Sequence, residues 1–134
     1  MRVFKNAWFQ RFARKERIAD GVLCEAVARA NKGLIDADLG GGLIKQRVAR
    51  PGSGKSGGYR TLVFFRVERR AIFAFGFAKS DTDNIGDDDE AILKKAAKVA
   101  LGVPEADLDR LVAAGTFVEV RCEDQEGAGQ DLPQ

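Results

Sequence analysis

LIKQRVARPGSGKSGGYRTLVFFR, Leu43 to Arg66, decides how this chain is read. Its middle, ARPGSGKS from Ala49 to Ser56, fits the relaxed form of a phosphate-binding P-loop: a small residue, four free positions, then Gly54, Lys55 and Ser56. A P-loop works by presenting phosphate to the N-terminus of the helix that comes after it. After Ser56 come Gly57 and Gly58, both poor helix formers, and then YRTLVFFR, rich in aromatic and β-branched residues. Before the loop, LIKQRVA alternates, with Ile44 and Val48 on one face and Lys45 and Arg47 on the other. The stretch therefore predicts two strands joined by a basic, Gly-rich loop from Arg50 to Gly58. No later apolar strand ends in Asp to act as a Walker B partner, so nucleotide hydrolysis is set aside.

Working outward, AIFAFGFAK (Ala71 to Lys79) continues the pattern as a third strand, giving an antiparallel meander. Met1 to Phe4 is a short fourth strand. Between them lie two short helices that read as a helical hairpin. The first runs from a cap at Asn6 to about Lys15, with Ala7, Phe9, Phe12 and Ala13 on its apolar side. The second starts from a cap at Asp20, carries Val22, Leu23, Ala26, Val27 and Ala30, and stops at Gly33. Gly40, Gly41 and Gly42 break the chain before the meander. Beyond it, an acidic loop leads into a helix over about Asp88 to Leu101, its buried stripe read as Ile92, Leu93, Ala96, Ala97, Ala100 and Leu101. Gly102 and Pro104 end it, and a small helix (Ala106 to Ala114) and a short strand (Thr116 to Arg121) come next. CEDQEGAGQDLPQ, from Cys122, reads as a disordered acidic tail. The fold class is α+β in a single domain over residues 1–121.

A chain of 134 residues, 45% hydrophobic, buries a core without staples. Two cysteines are too few for a disulfide framework, and Cys24 reads as a small core residue. The chain has neither a signal-peptide apolar region nor a membrane-length apolar run, which points to the cytoplasm. It has no histidine, which excludes His triads and His metal sites. The net charge of +2 conceals a split. Residues 1–80 hold 17 of the 22 Lys and Arg and 6 of the 20 Asp and Glu, a net of +11, and the remainder carries −9. A basic part of this size suits a polyanion; alternatively the two parts neutralise one another. Lys45, Arg47, Arg60 and Lys79 fall on or at the ends of the meander strands, with Arg50 and Lys55 in the loop. Several cations on one sheet face, beside a basic loop, suit a nucleic-acid backbone.

GGLIKQRVARPGSGKSGGYRTLVFF and, further on, FAFGFAKSDTDNI resemble the RelE/HigB toxins of bacterial type II toxin–antitoxin systems. The carriers are K-x-R, G-K-x-G-G-Y-R and F-x-K-x-x-x-x-N-I together, and the resemblance covers about residues 1–120. It implies a RelE/ParE-like fold: an N-terminal helical hairpin packed on a small antiparallel sheet, with a C-terminal helix. It also implies metal-independent, cofactor-free cleavage of mRNA in the ribosomal A site, by attack of the ribose 2′-OH on the adjacent phosphate. The implied partners are the ribosome, mRNA and a neutralising antitoxin, commonly of helix-turn-helix type.

Residue by residue, the resemblance assigns Arg60 to the scissile phosphate, where a planar fork offers two aligned donors. Lys45 goes to a phosphate or to the general base, Arg47 and Lys55 to flanking phosphates or ribosomal RNA, and Lys79 to the basic position after the third strand. Arg50 joins the RNA-binding group. Tyr59 either packs or stacks on a base, and Asn84 fixes the loop and contacts RNA. The match is incomplete. Ser80 stands where many relatives place another Arg, and Tyr59 is the chain's only tyrosine, so the leaving-group acid is unassigned. A non-catalytic RNA-binding or regulatory protein, or a gyrase-directed toxin, is the alternative on this fold.

Overall fold

The computed structural model describes residues 1–50, 54–78 and 85–122, with backbone alone for 54–57. In chain order the elements are β1 (Arg2–Asn6), α1 (Ala7–Glu16), α2 (Asp20–Asn31), β2 (Ala37–Gly40), β3 (Leu43–Arg50), β4 (Gly54–Arg66), β5 (Arg70–Ala78), α3 (Asp87–Leu101), α4 (Glu105–Ala113) and β6 (Phe117–Val120). The strands form one sheet in the order β2-β3-β4-β5-β1-β6. The expected meander is its centre, antiparallel from β3 through β5. β4 starts at Gly54, so the P-loop-like residues run into a strand and not a helix.

The sheet is mixed, not antiparallel as expected. β1 joins it parallel to β5, Phe4 opposite Ile72, and β6 closes the far edge antiparallel to β1. Parallel neighbours need a crossover connection. Here that is the whole excursion through α1, α2 and the meander. β2, unread in the sequence because ADLG is short and glycine-bounded, pairs with β3 at the other edge.

Strand alternation sorts the core into two layers. Ile44, Val48, Tyr59, Val63, Phe65, Ala71 and Phe73 face α1 and α2, meeting Phe9, Ala13, Leu23 and Val27. Leu43, Leu62, Phe64 and Ile72 face α3 and α4, meeting Ala97, Leu101 and Leu108. One irregularity matters for the site. The β4–β5 register shifts between Leu62, opposite Phe75, and Val63, opposite Phe73, so β5 holds one extra residue. A bulge of this kind reverses the parity of the residues beyond it. Phe73 packs toward α1, whereas Phe75 and Phe77 join the opposite layer and Gly76 turns toward Phe12 of α1.

The helices correct three expectations. Asn6 caps α1 as read, its Oδ1 accepting from Phe9 N at 2.8 Å. Asp20, read as a cap, instead lies in the first turn of α2, with Ala19 at the cap. There its carboxylate meets Lys5 Nζ at 3.2 Å and suits the helix dipole. In α3, Ile92 is 63% exposed and Ala96 is exposed. The buried side is Ala97, Ala100 and Leu101, with Leu93 partly covered. Apolar residues ring this helix, so periodicity alone left two stripes open. Its C-terminal turn chooses between them: Arg70 Nη1 donates to Ala100 O at 2.9 Å and Arg66 Nη1 to Leu101 O at 3.1 Å.

The third correction is Cys24. It is buried as expected, but it is also disulfide-bonded to Cys122, with the Cα atoms 5.5 Å apart. The bond fastens the chain after β6 to α2. The acidic run beyond it, residues 123–134, lies outside the described residues. Among the described residues no helix is long and apolar enough to cross a membrane.

Candidate nucleic-acid interface

The site rests on the pairing of β3 with β4. Arg47 and Arg60 are direct Cα partners, and Lys45 is the partner of Leu62. All three therefore share the sheet face whose apolar residues, Leu43, Leu62 and Phe64, meet α3 and α4. Arg47 is exposed, while Lys45 and Arg60 are half-buried. Arg60 Nη1 is shielded from solvent and has no hydrogen-bond partner among the described residues. Phe77, the Cα partner of Arg60 across β5, lies beside it.

This arrangement works against stability. Like charges directly opposite on one sheet face repel, and a shielded donor without an acceptor carries a desolvation penalty. A bound anion would relieve both. Elsewhere the basic part of the chain does neutralise the acidic part. Arg2 meets Glu119 at 2.8 Å and Asp109 at 2.9 Å, and Arg70 meets Glu105 at 3.1 Å. The Glu105 carboxyl is held below the usual range, first by its hydrogen bond from Arg70 and then by Arg2. Arg47 and Arg60 have no such ion pair among the described residues.

The β3 backbone at this point is held from behind. Asp36 Oδ2 accepts from Arg47 N at 2.5 Å, and Arg29 Nη2 donates to Arg47 O at 2.6 Å. Gln46, 1% exposed, sits between Lys45 and Arg47 and points the other way. Its Nε2 donates to Ala26 O at 3.0 Å and Leu34 O at 3.1 Å, and its Oε1 accepts from Asp36 N at 2.9 Å. Gln46 thus locks the strand that aims Lys45 and Arg47. Sequence reading passed over it because a lone Gln in an alternating strand carries no signal beyond its inward parity.

The remaining site residues divide. Arg50 is carried to the α1 side, its guanidinium 5.5 Å over the Tyr59 ring, away from Arg47. Tyr59 is 1% exposed, with the Phe12 ring edge-on at 5.5 Å. Its hydroxyl donates to Glu16 at 2.6 Å, and burial, then Glu16, pushes the phenol up to about 12. Of its two expected roles, Tyr59 has the packing one. The Lys55 side chain, Lys79 and Asn84 lie outside the described residues.

The family described as the RelE toxin of the RelE/RelB toxin–antitoxin system matches residues 1–120 of this chain. The chain belongs to the RelE toxin family. It is thus a toxin of a toxin–antitoxin system by family, and an antitoxin is its implied partner; members of the family are commonly mRNA-cleaving. Among curated proteins no sequence matches.

Proposed function

We propose that this RelE-family chain is a ribosome-dependent mRNA endoribonuclease, restrained in the cytoplasm by a helix-turn-helix antitoxin. The observation that carries the reading is the Arg47–Arg60 pair, opposed on one face, with a shielded guanidinium nitrogen that meets no acceptor among the described residues. In 2′-OH attack on a phosphodiester, negative charge grows on the non-bridging oxygens of the phosphorane. Arg60 donates to those oxygens through its fork, and fixed donors of this kind act most strongly where charge develops. Arg47, more exposed, holds the neighbouring phosphate. Lys45, on the same face, is the candidate base for the 2′-OH. The phenol of Tyr59 is directed into the α1 layer and held by Glu16, so it does not protonate the 5′-oxygen. That proton comes from Lys79, water or the ribosome.

The test pairs activity with stability. Arg60→Ala should lower mRNA cleavage on programmed ribosomes by on the order of 100-fold or more, as removal of one transition-state donor does. Arg60→Gln should lower cleavage similarly while leaving the melting temperature unchanged or higher, because it ends the repulsion with Arg47. Intact mRNA on ribosomes treated with the unmodified toxin, together with gyrase inhibition, would instead support the gyrase-directed alternative.

A further inference from the structure

A second feature lies one strand from Arg60 and has no part in the chemistry above. Along β5, pairing with β1 ends at Phe73. Among the described residues, the β5 backbone from Phe75 to Ala78 has no strand partner on that side. A cavity of about 280 Å3 opens there, walled by Trp8, Phe12 and Phe77, with Lys15, Glu16 and Arg50 around it. Trp8 is the chain's only tryptophan and is 36% exposed. It is held rather than loose: its ring centroid is 5.2 Å from Phe12, nearly parallel, and 4.4 Å from Phe75. The glycine at 76 makes room for this wall, since a Cβ there would come within 2.7 Å of Phe12 Cε2.

We infer that this aromatic slot, on the α1 side of the sheet, binds a nucleobase of an RNA strand. The inference rests on the RNA reading given above and adds a base subsite on the α1 side of the sheet. Four observations favour a base over other occupants. The walls are rigid aromatic faces, which stack on any base irrespective of sequence. The volume, about 280 Å3, lies at the small end of ligand sites and accommodates a single base. Lys15 and Arg50 are exposed cations at the mouth, where a flanking phosphate would lie. Glu16 uses one oxygen on the Tyr59 hydroxyl and keeps a second as an acceptor for a base N–H.

The sole tryptophan makes the test direct. Full-length toxin is titrated with a short 2′-O-methyl oligonucleotide, which cannot undergo 2′-OH attack, while Trp8 emission is monitored. Saturable quenching is expected. An oligonucleotide of equal charge with every position abasic, and inorganic polyphosphate, should bind without quenching. Trp8→Ala should weaken binding of the labelled oligonucleotide by about tenfold, in line with the loss of one stacked base. It should leave polyphosphate binding unchanged, and Trp8→Phe should retain most of the affinity. Because Trp8 is at the surface, a circular dichroism spectrum matching the unmodified protein is expected for both variants. Equal quenching by abasic oligonucleotide, polyphosphate or an acidic peptide would overturn the inference, as would oligonucleotide binding with no change in emission, or no binding at all. The readout involves no cleavage, so an Arg60 variant that kept full cleavage would sink the catalytic reading without touching the slot.

Discussion

Tyr59 and Arg60 are sequence neighbours with opposite duties, and the strand separates them by parity alone. One is sealed in the α1 layer and the other faces the open side, because successive strand residues point to opposite faces. The sequence made this legible: outward Lys45 and Arg47, with Arg60 opposite them if the register allowed, needed only the alternation of two short runs. It did not reveal what holds Tyr59. Its partner, Glu16, comes from α1, far away in the chain, and no local pattern encodes that meeting. The pair makes a titration prediction. The folded phenol titrates near 12, above the ordinary value of 10.0. A raised acid pKa means that the neutral form is the one the fold prefers. The stabilisation is therefore complete below about pH 10 and is lost as pH climbs through the folded value. As the only tyrosine, Tyr59 can be tracked by tyrosinate absorbance. A midpoint near 12 is expected, moving toward the ordinary value in Glu16→Gln; a midpoint at the ordinary value in the unmodified protein would contradict the buried geometry.

At the scale of elements, the meander was readable because each strand carries its own period and each turn its own glycines. The parallel docking of β1 was not, since it depends on a pairing between the start of the chain and residues near 72. The orientation of α3 was equally hidden. Its apolar residues run around most of the helix, and the face that docks is set by partners outside it: Arg66 and Arg70 on its last carbonyls, and Gly42 beneath Leu101. Gly42 has φ +87°, and a Cβ built on it would lie 2.5 Å from Leu101 Cδ1. Both the left-handed backbone and the contact exclude a side chain. Gly42→Ala should destabilise the fold by roughly 1–3 kcal/mol, the usual range for overpacking and backbone strain. Gly33→Ala is the control, because Gly33 also has positive φ but nothing within 4 Å of its Cβ position. Chemical denaturation should show the larger loss at Gly42, and equal losses would mean that the α3 contact contributes nothing.

Taken whole, the molecule divides its charge by region. Where β1, β5, α4 and β6 meet, Arg2 and Arg70 are spent on Glu105, Asp109 and Glu119, so the two parts of the chain do neutralise each other there. On β3 and β4, Arg47 and Arg60 lie opposite one another and meet no carboxylate among the described residues. Charge counting detects the basic surplus but not this pairing, which only the register of the strands supplies. The same long-range logic governs the disulfide. Cys24 and Cys122 are 98 residues apart in sequence, and spacing gave no reason to pair them. Closing a loop of that length removes much of the freedom of the unfolded chain, with a typical stabilisation of about 2–4 kcal/mol. Cytosolic thiols are normally kept reduced, so a toxin that acts on ribosomes in the cytoplasm, as proposed above, would work without the bond. Cys24 would then remain a buried, apolar-packed thiol in a core complete apart from it. The expected outcome is a folded, toxic protein in both states. Reduction, or Cys122→Ser, should lower the denaturation midpoint by an amount equivalent to about 2–4 kcal/mol while leaving the proposed ribosome-dependent cleavage unchanged. A reduced protein that fails to melt cooperatively would show that the fold depends on this bond, and the cytoplasmic assignment would have to be abandoned.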